Sequence, residues 1–280
     1  MKANLSLVSV VITTRNEEKN IENCLQSIKI QTYPQELIEI IVVDNNSTDK
    51  TKEITLKYTN LILTKGPERS VQRNFGIQNA KGVYILYLDA DMILNEKVIE
   101  ECVNKCEKEN LIALYIPERI VGKGFWIKVR DFERTFYNAT CIDGVRFVRR
   151  DKFFEIKGFD ETLTGPEDWD FDRRIKTLGN VGVIDSNISH NEGDFNFRRY
   201  ITKKSYYAKS FDKYIEKWGK QDVIIKKQFG IWYRFFGVFL EKKEKVFKLI
   251  LHPVLTFSMF FLRIMVGMIY IKDKIYDGNK

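Results

Sequence analysis

The stretch YILYLDADMIL, residues 84–94, decides how the rest of the chain is interpreted. Its first part is apolar and suits a buried strand, which ends at Asp89 and Asp91. Alternate residues of a strand point to the same side, so the two carboxylates are expected to project together. Two such charges repel each other unless something positive lies between them. The stretch therefore predicts a strand end that binds a cation, or a ligand that carries one.

Segments on either side of this strand alternate between strand-like and helix-like patterns up to about residue 115. LVSVVI, IEIIVVD and LILT are predicted as strands, and helices are predicted over residues 18–30, 48–58, 70–80 and 96–108. Largely apolar strands that alternate with helices are typical of a parallel sheet covered on both faces. We therefore predict an α/β fold, Rossmann-like, with a mostly parallel central sheet.

Sheets of this kind bind ligands beyond the carboxyl ends of their strands. The first predicted strand ends near Thr14, the second at Asp44 and the YILYLD strand at Asp89. No GxGxxG or Walker loop follows any of these strands, so a glycine turn is not available to hold phosphate. A diphosphate bound here is expected to need a metal ion.

The composition fits a globular protein with a sizeable core. The chain has 280 residues, 44% of them hydrophobic, with 46 Lys and Arg against 38 acidic residues and a formal net charge of +8. This balance suits an anionic partner, whether nucleic acid, a phosphorylated substrate or acidic lipid. The four cysteines are too few and too scattered for a disulfide framework, which favours reduced thiols and a cytosolic setting.

Beyond about residue 214 the sequence becomes aromatic and basic. Its longest uncharged run, residues 249–262, is shorter than the roughly 18 to 20 residues that span a bilayer. We predict an interfacial or re-entrant helical segment whose cations reach anionic lipid, namely Lys226, Lys227, Arg234, Lys242, Lys243, Lys245 and Lys248. The alternative is a helical subdomain packed on the core. We therefore expect a first domain over residues 1–214, made of two halves at about 1–115 and 116–214. The basic and aromatic region at residues 215–280 follows it.

Five motifs in order support a resemblance to a known family. They are SVVITTRNEEKNIENCLQSIKIQTYP, EIIVVDNNSTDKT, RSVQRNFGIQNAKGVYILYLDADM, GFDETLTGPEDWDFDRRI and ISHNEG. Together, over about residues 7–200, they resemble the family 2 glycosyltransferases with the GT-A fold. The resemblance implies an inverting, hexosyltransferase-like enzyme that takes a sugar from a nucleotide-diphosphate sugar. It also implies a divalent cation, Mg²⁺ or Mn²⁺, that offsets charge on the diphosphate.

The resemblance assigns roles to the acids at the strand ends. Asp91 corresponds to the metal ligand, and Asp89 to a contact with the ribose or with the hydrated metal. His190 in SHNEG corresponds to a third metal or diphosphate contact in some similar enzymes, although a lone histidine is often structural. The alternative for Asp89 and Asp91 is that they cap the next helix.

Nucleotide contacts are implied for a second set of residues. Asp44 corresponds to the acid that accepts hydrogen bonds from the base, while Thr14, Glu17 and Arg73 match other base, ribose or phosphate contacts. Asp44 has the alternative role of capping the helix after NNSTD. At Thr13 and Arg15, many relatives have proline and tyrosine instead, so the choice between UDP and GDP stays open.

Asp168 in PEDWD lies where the family carries its general base, with Glu167 as the second candidate and Trp169 as an acceptor wall. The alternative is that both acids favour a helix N-terminus through its dipole. The QxxRW signature of processive synthases is absent from FNFRRY, which predicts one sugar per acceptor. Arg198 and Arg199 in that stretch are candidates for a phosphate contact.

The expected function is transfer of one sugar to a lipid or lipid-linked acceptor by a peripheral protein at the cytoplasmic face of the cell membrane, with no nucleic-acid partner. A sugar-phosphate nucleotidyltransferase is disfavoured because TTRNEE replaces its glycine-rich loop. A haloacid-type phosphatase is disfavoured because its DxD motif normally follows the first strand, whereas DAD follows the fourth predicted strand of this chain. The remaining alternative is a non-catalytic, membrane-bound scaffold that binds nucleotide sugar.

Overall fold

The computed structural model describes residues 5–277, with side chains described up to residue 268. Its first half contains, in chain order, β1 (Val8–Thr14), α1 (Ile21–Lys29), β2 (Ile38–Asp44), α2 (Thr51–Leu56), β3 (Ile62–Thr64), α3 (Arg69–Gln78), β4 (Tyr84–Asp89), β5 (Met92–Leu94), α4 (Val98–Glu109), β6 (Ala113–Tyr115), β7 (Glu118–Lys123) and α5 (Phe125–Arg134). A short 3-10 turn over Gln35–Leu37 precedes β2. The four predicted helices are present, with ends that differ by one to three residues.

The second half begins with β8 (Phe147–Arg149), α6 (Arg150–Glu155), α7 (Glu167–Ile175), β9 (Val181–Val183), β10 (Ile188–Asp194) and α8 (Phe197–Ala208). It continues with α9 (Phe211–Trp218), α10 (Val223–Phe229), a π-helical turn (Tyr233–Gly237), α11 (Val238–Leu240), α12 (Lys243–Leu251) and α13 (Pro253–Asp277). The last three residues of the predicted C-terminal region lie outside the described part.

Helices α1 and α2 begin later than predicted because the polar residues before them bind each other. The backbone N–H of Asn16 donates to Ser47 Oγ, and that of Thr48 donates to Asn16 Oδ1, both at 2.8 Å. The N–H of Glu18 donates to Asp49 Oδ2 at 3.1 Å. The side chains of Asn16, Ser47 and Asp49 therefore do not cap the two helices as early as predicted. They join the loop after β1 to the loop after β2.

The central sheet has the order β3–β2–β1–β4–β8–β6–β9 among the described strands. The strands β1 to β4 are parallel, and β8 runs antiparallel to both of its neighbours. In this register Thr14 pairs with Asp44 and Thr13 with Asp89, so the predicted strand-end residues lie at one edge. The prediction of a mostly parallel sheet is confirmed.

Helices cover both faces of this sheet, which explains why its strands are largely apolar. On one face Val10 and Ile12 pack in a cluster with α1 and α4. On the other, Val11 packs in a cluster that also includes Ile77 of α3 and Phe171 of α7. Residues that alternate along β1 thus belong to two different cores.

A smaller sheet with the order β5–β10–β7 stands beside the main one. Its central strand β10 pairs with β5 antiparallel, so that His190 is opposite Met92, and with β7 in parallel, so that Ile188 is opposite Glu118. This sheet brings the SHNEG motif next to the DAD motif.

The C-terminal helices pack on α5. A buried cluster joins Val129, Phe132 and Phe136, within or just after α5, to Tyr233, Val238, Phe239 and Met259. Among the described residues no single helix is long and apolar enough to cross a membrane. Only α12 and the Pro253–Met268 part of α13 together reach that length and composition, and they are bent by 103°.

Candidate active site

A cleft of about 760 Å³ lies beyond the carboxyl ends of β1, β2 and β4. The sheet side contributes Thr14, Glu17, Asp89 and Asp91. Helix α8 and the start of α7 enclose the other side, where Arg198, Arg199 and Glu167 contribute. The position matches the one predicted for a ligand of a parallel sheet.

Asp89 is held by three donors. Thr13 Oγ1 donates to its Oδ1 at 3.0 Å, Arg73 Nη2 lies 3.1 Å from the same oxygen, and Arg69 Nη1 lies 3.3 Å from Oδ2. Burial by itself raises the pKa of Asp89, but Arg73 and Arg69 outweigh it and hold the pKa far below its usual range. Because both oxygens already have partners, Asp89 is a fixed anion with little capacity left for a metal.

Arg73 lies under the cleft and not in its lining. Its side chain is fully buried, and its guanidinium stacks 5.0 Å from the ring centroid of Tyr87 and 5.3 Å from that of Phe159. Nη1 lies 2.7 Å from Asp168 Oδ1 while Nη2 pairs with Asp89. The predicted direct contact of Arg73 with the nucleotide is therefore not supported, since the residue is enclosed and instead links two acids of the site.

Asp91 and His190 form the pair that suits a metal. His190 Nε2 lies 3.0 Å from Asp91 Oδ2, and Asp91 Oδ1 is buried without a hydrogen-bond partner in the described part of the chain. Burial alone lowers the pKa of His190, but the bonds to Asp91 and Glu118 outweigh it and raise the pKa to about 10. The free carboxylate oxygen is the ligand type that Mg²⁺ and Mn²⁺ prefer, and the imidazole nitrogen beside it can join the site when it carries no proton.

No group of three or more His, Cys, Asp or Glu side chains among the described residues is arranged to hold a metal. The protein thus offers two donors, Asp91 and His190. These residues fit a divalent cation whose remaining positions are filled by phosphate oxygens and water, as Mg²⁺ usually is in phosphate sites.

The predicted base-binding residues leave two buried oxygens unpaired. Asp44 Oδ2 accepts from the N–H of Ser47 at 2.9 Å and lies 3.2 Å from Lys52 Nζ. Asp44 Oδ1 and Thr14 Oγ1 are buried and have no hydrogen-bond partner among residues 5–277. One oxygen of Asp44 thus stabilises the turn that follows β2 and does not cap α2, whose N-cap is Lys50, while the other oxygen remains available as an acceptor. Glu17 lines the cleft, and burial raises its pKa.

The two acids of PEDWD differ in access. Glu167 is 2% exposed, and its carboxylate accepts from Arg69 at 3.3 Å and from the N–H of Gly165. Burial, followed by the charge of Asp168, raises the pKa of Glu167. The Asp168 side chain is 28% exposed and pairs with Arg73. Helix α7 begins at Glu167, so the acids also occupy the dipole-favoured first turn.

Trp169, predicted as an acceptor wall, lies in a helix interface and is not part of the lining of the cleft. Its ring packs against Phe211, Tyr214 and Phe229, with centroids 6.0 to 6.3 Å apart. These contacts belong to a cluster that joins α7 to α9 and α10. The next residue in the chain after Asp168 thus points into a helix interface, as expected for successive residues of a helix.

Two residues of the site were missed by the sequence reasoning. Arg69 lines the cleft and pairs with Asp89 and Glu167; its spacing of four residues from Arg73 on α3 is a signal that both share one helix face. Glu118 binds His190 Nδ1 at 3.0 Å, and no local pattern in IPERIV points to this contact.

A mostly parallel sheet with a cleft at its carboxyl edge, and with Asp89 at the end of β4 and Asp91 just beyond it, defines an α/β protein of the ligand-binding, Rossmann-like class. Residues 9–163, more than half of the chain, match the model of glycosyl transferase family 2. The chain belongs to this family.

Two curated relatives are archaeal. Glycosyltransferase AglE of Haloferax volcanii is 38% identical over 37% of this chain and 36% of its own length. The dolichyl N-acetyl-alpha-D-glucosaminyl phosphate 3-beta-D-2,3-diacetamido-2,3-dideoxy-beta-D-glucuronosyltransferase of Methanococcus voltae is 27% identical over 65% of this chain and 67% of its own length. Matches to several other curated relatives span only 20% to 41% of those proteins.

Among solved structures, the mannosyltransferase PcManGT from Pyrobaculum calidifontis in complex with GDP-Man and Mn²⁺ has a TM-score of 0.62. The likeness covers 90% of this chain and 76% of that one at 20% identity. It confirms the GT-A fold predicted from the sequence.

Proposed function

We propose that the protein is an inverting glycosyltransferase that moves one hexosyl unit from a UDP- or GDP-sugar to a lipid or lipid-linked acceptor. The observation that carries the proposal is the grouping, at one edge of the sheet, of the Asp91–His190 pair, the unpaired oxygens of Thr14 and Asp44, and the acid Asp168. These three features suit a diphosphate with its cation, a base and a reacting hydroxyl.

The donor would lie along the edge of the sheet from β2 to β5. Unpaired oxygens on Asp44 and Thr14 suit the N–H groups of a uracil or guanine, since each needs a donor that the described chain does not supply. Glu17 and Asp89 also line the cleft and are the side chains we assign to a ribose hydroxyl. Arg198 and Arg199 on the facing helix supply positive charge for the diphosphate.

Asp91 and His190 would hold Mg²⁺ or Mn²⁺. When bound there, the cation supplies Lewis-acid stabilisation of the charge that develops on the departing diphosphate. Asp89, held by Arg69 and Arg73, acts beside this pair through its fixed negative charge and its place next to the ribose.

Asp168 is the side chain assigned to the acceptor. As the acceptor oxygen bonds to the anomeric carbon, its proton passes to an Asp168 carboxylate oxygen, and the bond from that carbon to the diphosphate oxygen breaks with its electron pair. Attack from the face opposite the leaving group inverts the anomeric centre. Of the two candidate acids, Glu167 lines the cleft but is only 2% exposed and fixes Gly165 and Arg69, whereas the Asp168 side chain is 28% exposed and is the more accessible to an acceptor.

A membrane surface is the proposed location of the acceptor. Among residues 231–268, the C-terminal helices expose large apolar side chains, most strongly Ile231, Trp232, Phe247, Ile250 and Phe257, each at least 67% exposed. Further exposed apolar residues accompany them, namely Phe236, Leu240, Leu251, Val254, Phe261, Ile264 and Met268. An apolar surface of this extent with neighbouring lysines suits insertion into the headgroup layer of an anionic leaflet. The Methanococcus voltae relative, named for a dolichyl phosphate substrate, supports a lipid-linked acceptor.

We place the protein peripherally at the cytoplasmic face, where nucleotide sugars would be available. All four cysteines are free, three of them buried, in keeping with a reducing compartment.

Calorimetric titration of UDP, GDP and their sugars, with and without Mn²⁺, tests the proposal. Wild-type protein should bind one nucleotide in a Mn²⁺-dependent manner, and Asp91→Ala should lose the dependence on Mn²⁺. Lys57→Ala, a change in the exposed C-cap of α2, is the matched control and should bind as wild type does. Failure of folded wild-type protein to bind either nucleotide would overturn the proposed donor class.

A further inference from the structure

Glu118 holds His190 from the side opposite Asp91. In the three-stranded sheet, His190 lies on the central strand β10, and Glu118 is the first residue of the neighbouring β7. Glu118 Oε1 lies 3.0 Å from His190 Nδ1, and Asp91 Oδ2 lies 3.0 Å from His190 Nε2. Both nitrogens of the ring are thus engaged by carboxylates from two different strands.

Glu118 is itself held in place. It is 6% exposed, and its second oxygen, Oε2, accepts from Arg146 at 3.2 Å and from Arg134 at 3.4 Å. The two guanidinium groups keep this buried carboxylate charged, so that it is a hydrogen-bond acceptor only. Arg134 is fixed in turn by Asp143 at 2.8 Å.

We propose that Glu118 is a positioning residue that fixes the ring plane of His190 and keeps a proton on Nδ1, so that Nε2, the nitrogen beside Asp91, is the one directed at the divalent cation. This inference rests on the proposed function. A carboxylate that accepts from the distal nitrogen of a metal-binding imidazole sets the tautomer and the ring orientation. Without Glu118, the ring gains a second tautomer and a freedom of rotation that both oppose metal binding.

The chain is favourable for a direct test because it contains only two histidines, His190 and His252. Protein labelled with ¹⁵N-histidine, with Mg²⁺ and the preferred nucleoside diphosphate added, gives imidazole nitrogen signals that report the tautomer; a His252→Gln variant assigns them. Mn²⁺ affinity is measured on the same proteins by electron paramagnetic resonance.

Glu118→Gln should lower Mn²⁺ affinity by about 10- to 100-fold and remove the single Nδ1–H tautomer of His190. Glu118→Asp, which keeps the charge but shortens the side chain, should show a loss in the same direction and serves if the glutamine variant does not fold. Asp143→Asn is the matched control, because it removes one acid from Arg134 without touching His190. It should keep both the Mn²⁺ affinity and the tautomer.

Mn²⁺ affinity within twofold of wild type in Glu118→Gln, or an equal loss in Asp143→Asn, overturns the positioning role and leaves the proposed function intact. Absence of Mn²⁺ binding by folded wild-type protein has a different meaning, since it overturns the metal-dependent function and this inference with it.

Discussion

The guanidinium of Arg73 lies 2.7 Å from the carboxylate of Asp168, a residue 95 positions further along the chain. Its other terminal nitrogen lies 3.1 Å from Asp89. A single, fully buried positive charge therefore joins the end of β4 to the first turn of α7. Asp89 and the candidate base Asp168 thus share Arg73 as their counter-ion, and the width of its guanidinium sets the distance between them.

Arg73→Met is expected to destabilise the protein by about 3–5 kcal/mol, because removing one partner of a buried ion pair leaves the other charges uncompensated. Arg69→Met, one helical turn earlier, is the matched control. Its side chain is 34% exposed and its two contacts are 3.3 Å long, so a loss of at most about 1 kcal/mol is expected. Urea unfolding measures the loss of stability in both variants. Equal losses would contradict the conclusion that the buried ion pairs of Arg73 with Asp89 and Asp168 are the stronger contribution.

Asp168→Asn should reduce sugar transfer by roughly 10²- to 10⁴-fold while the affinity for nucleotide and Mn²⁺ stays unchanged. The reason is that asparagine keeps the shape and the contact with Arg73 but cannot accept the acceptor proton. Turnover is followed by release of the nucleoside diphosphate, and binding by calorimetry. A variant that retains full turnover would show that another group is the base, and a wild type without turnover would favour a binding scaffold.

Gly76→Ala is expected to destabilise α3 and with it both arginines of the site. A Cβ at this position would lie 2.4 Å from Val11 Cγ1 and 2.8 Å from Val43 Cγ2, so the helix must move away from the sheet at a cost of about 1–3 kcal/mol. Gly267→Ala in α13 is the control, because its nearest neighbour would be 3.6 Å away and helix propensity favours alanine by about 0.5–1 kcal/mol. Thermal unfolding should shift in opposite directions for the two variants.

Acid is expected to weaken the attachment of the C-terminal helices through Glu133. Burial by itself raises the pKa of this α5 carboxyl, but Arg263 of α13 and Arg130 outweigh it and lower the pKa to about 2. Because the pKa is lower in the folded state than its usual 4.5, the stabilisation is complete above pH 4.5 and is lost as the pH falls towards 2.

Glu133→Gln should therefore lower the free energy of unfolding at pH 7, on the order of 3 kcal/mol, and flatten its decline between pH 4.5 and 2. Glu216→Gln, at an exposed position of α9, should leave the curve as it is. Denaturant unfolding at a series of pH values provides the comparison. An unchanged slope in Glu133→Gln would show that the ion pair with Arg263 contributes little.

Phe247→Ser with Phe257→Ser should reduce partition onto anionic vesicles by at least about tenfold without destabilising the fold. Each phenylalanine contributes about 1.5–3 kcal/mol when it leaves water, yet both are exposed in the folded chain, at 67% and 77%. Leu56→Ser, at a 59% exposed residue of α2, is the control and should partition like wild type. Sedimentation with phosphatidylglycerol vesicles measures the difference, and unchanged binding would contradict the proposed membrane surface.

Much of the sheet was predictable because its signal is local. Runs such as IEIIVVD and YILYLD are buried on both faces and end in polar residues, so strand type, strand ends and the position of Asp44, Asp89 and Asp91 follow from neighbouring residues alone. The helix N-terminus considered as an alternative role for the PEDWD acids is also present, since α7 begins at Glu167.

The roles of Arg73 and Trp169 were not predictable in the same way, since a motif gives the residue but not its surroundings. Arg73 is enclosed by Tyr87 and Phe159, which are brought to it by β4 and by the turn before α7. Trp169 turns into a cluster formed by helices more than 40 residues further along the chain. Glu118 belongs to the same category, because only the pairing of β7 with β10 places it beside His190.

Helix α5 carries Glu133 and Arg134 as consecutive residues. Glu133 pairs with Arg263 of α13, and Arg134 pairs with Glu118, the residue that binds His190. Its apolar face, with Val129, Phe132 and Phe136, is covered by the C-terminal helices. Cutting the chain after Trp218 would expose that face, so truncation is a poor route to a water-soluble enzyme for biochemical work. Replacing outward-facing side chains such as Phe257 with polar ones keeps the cover over α5 and is the better engineering strategy.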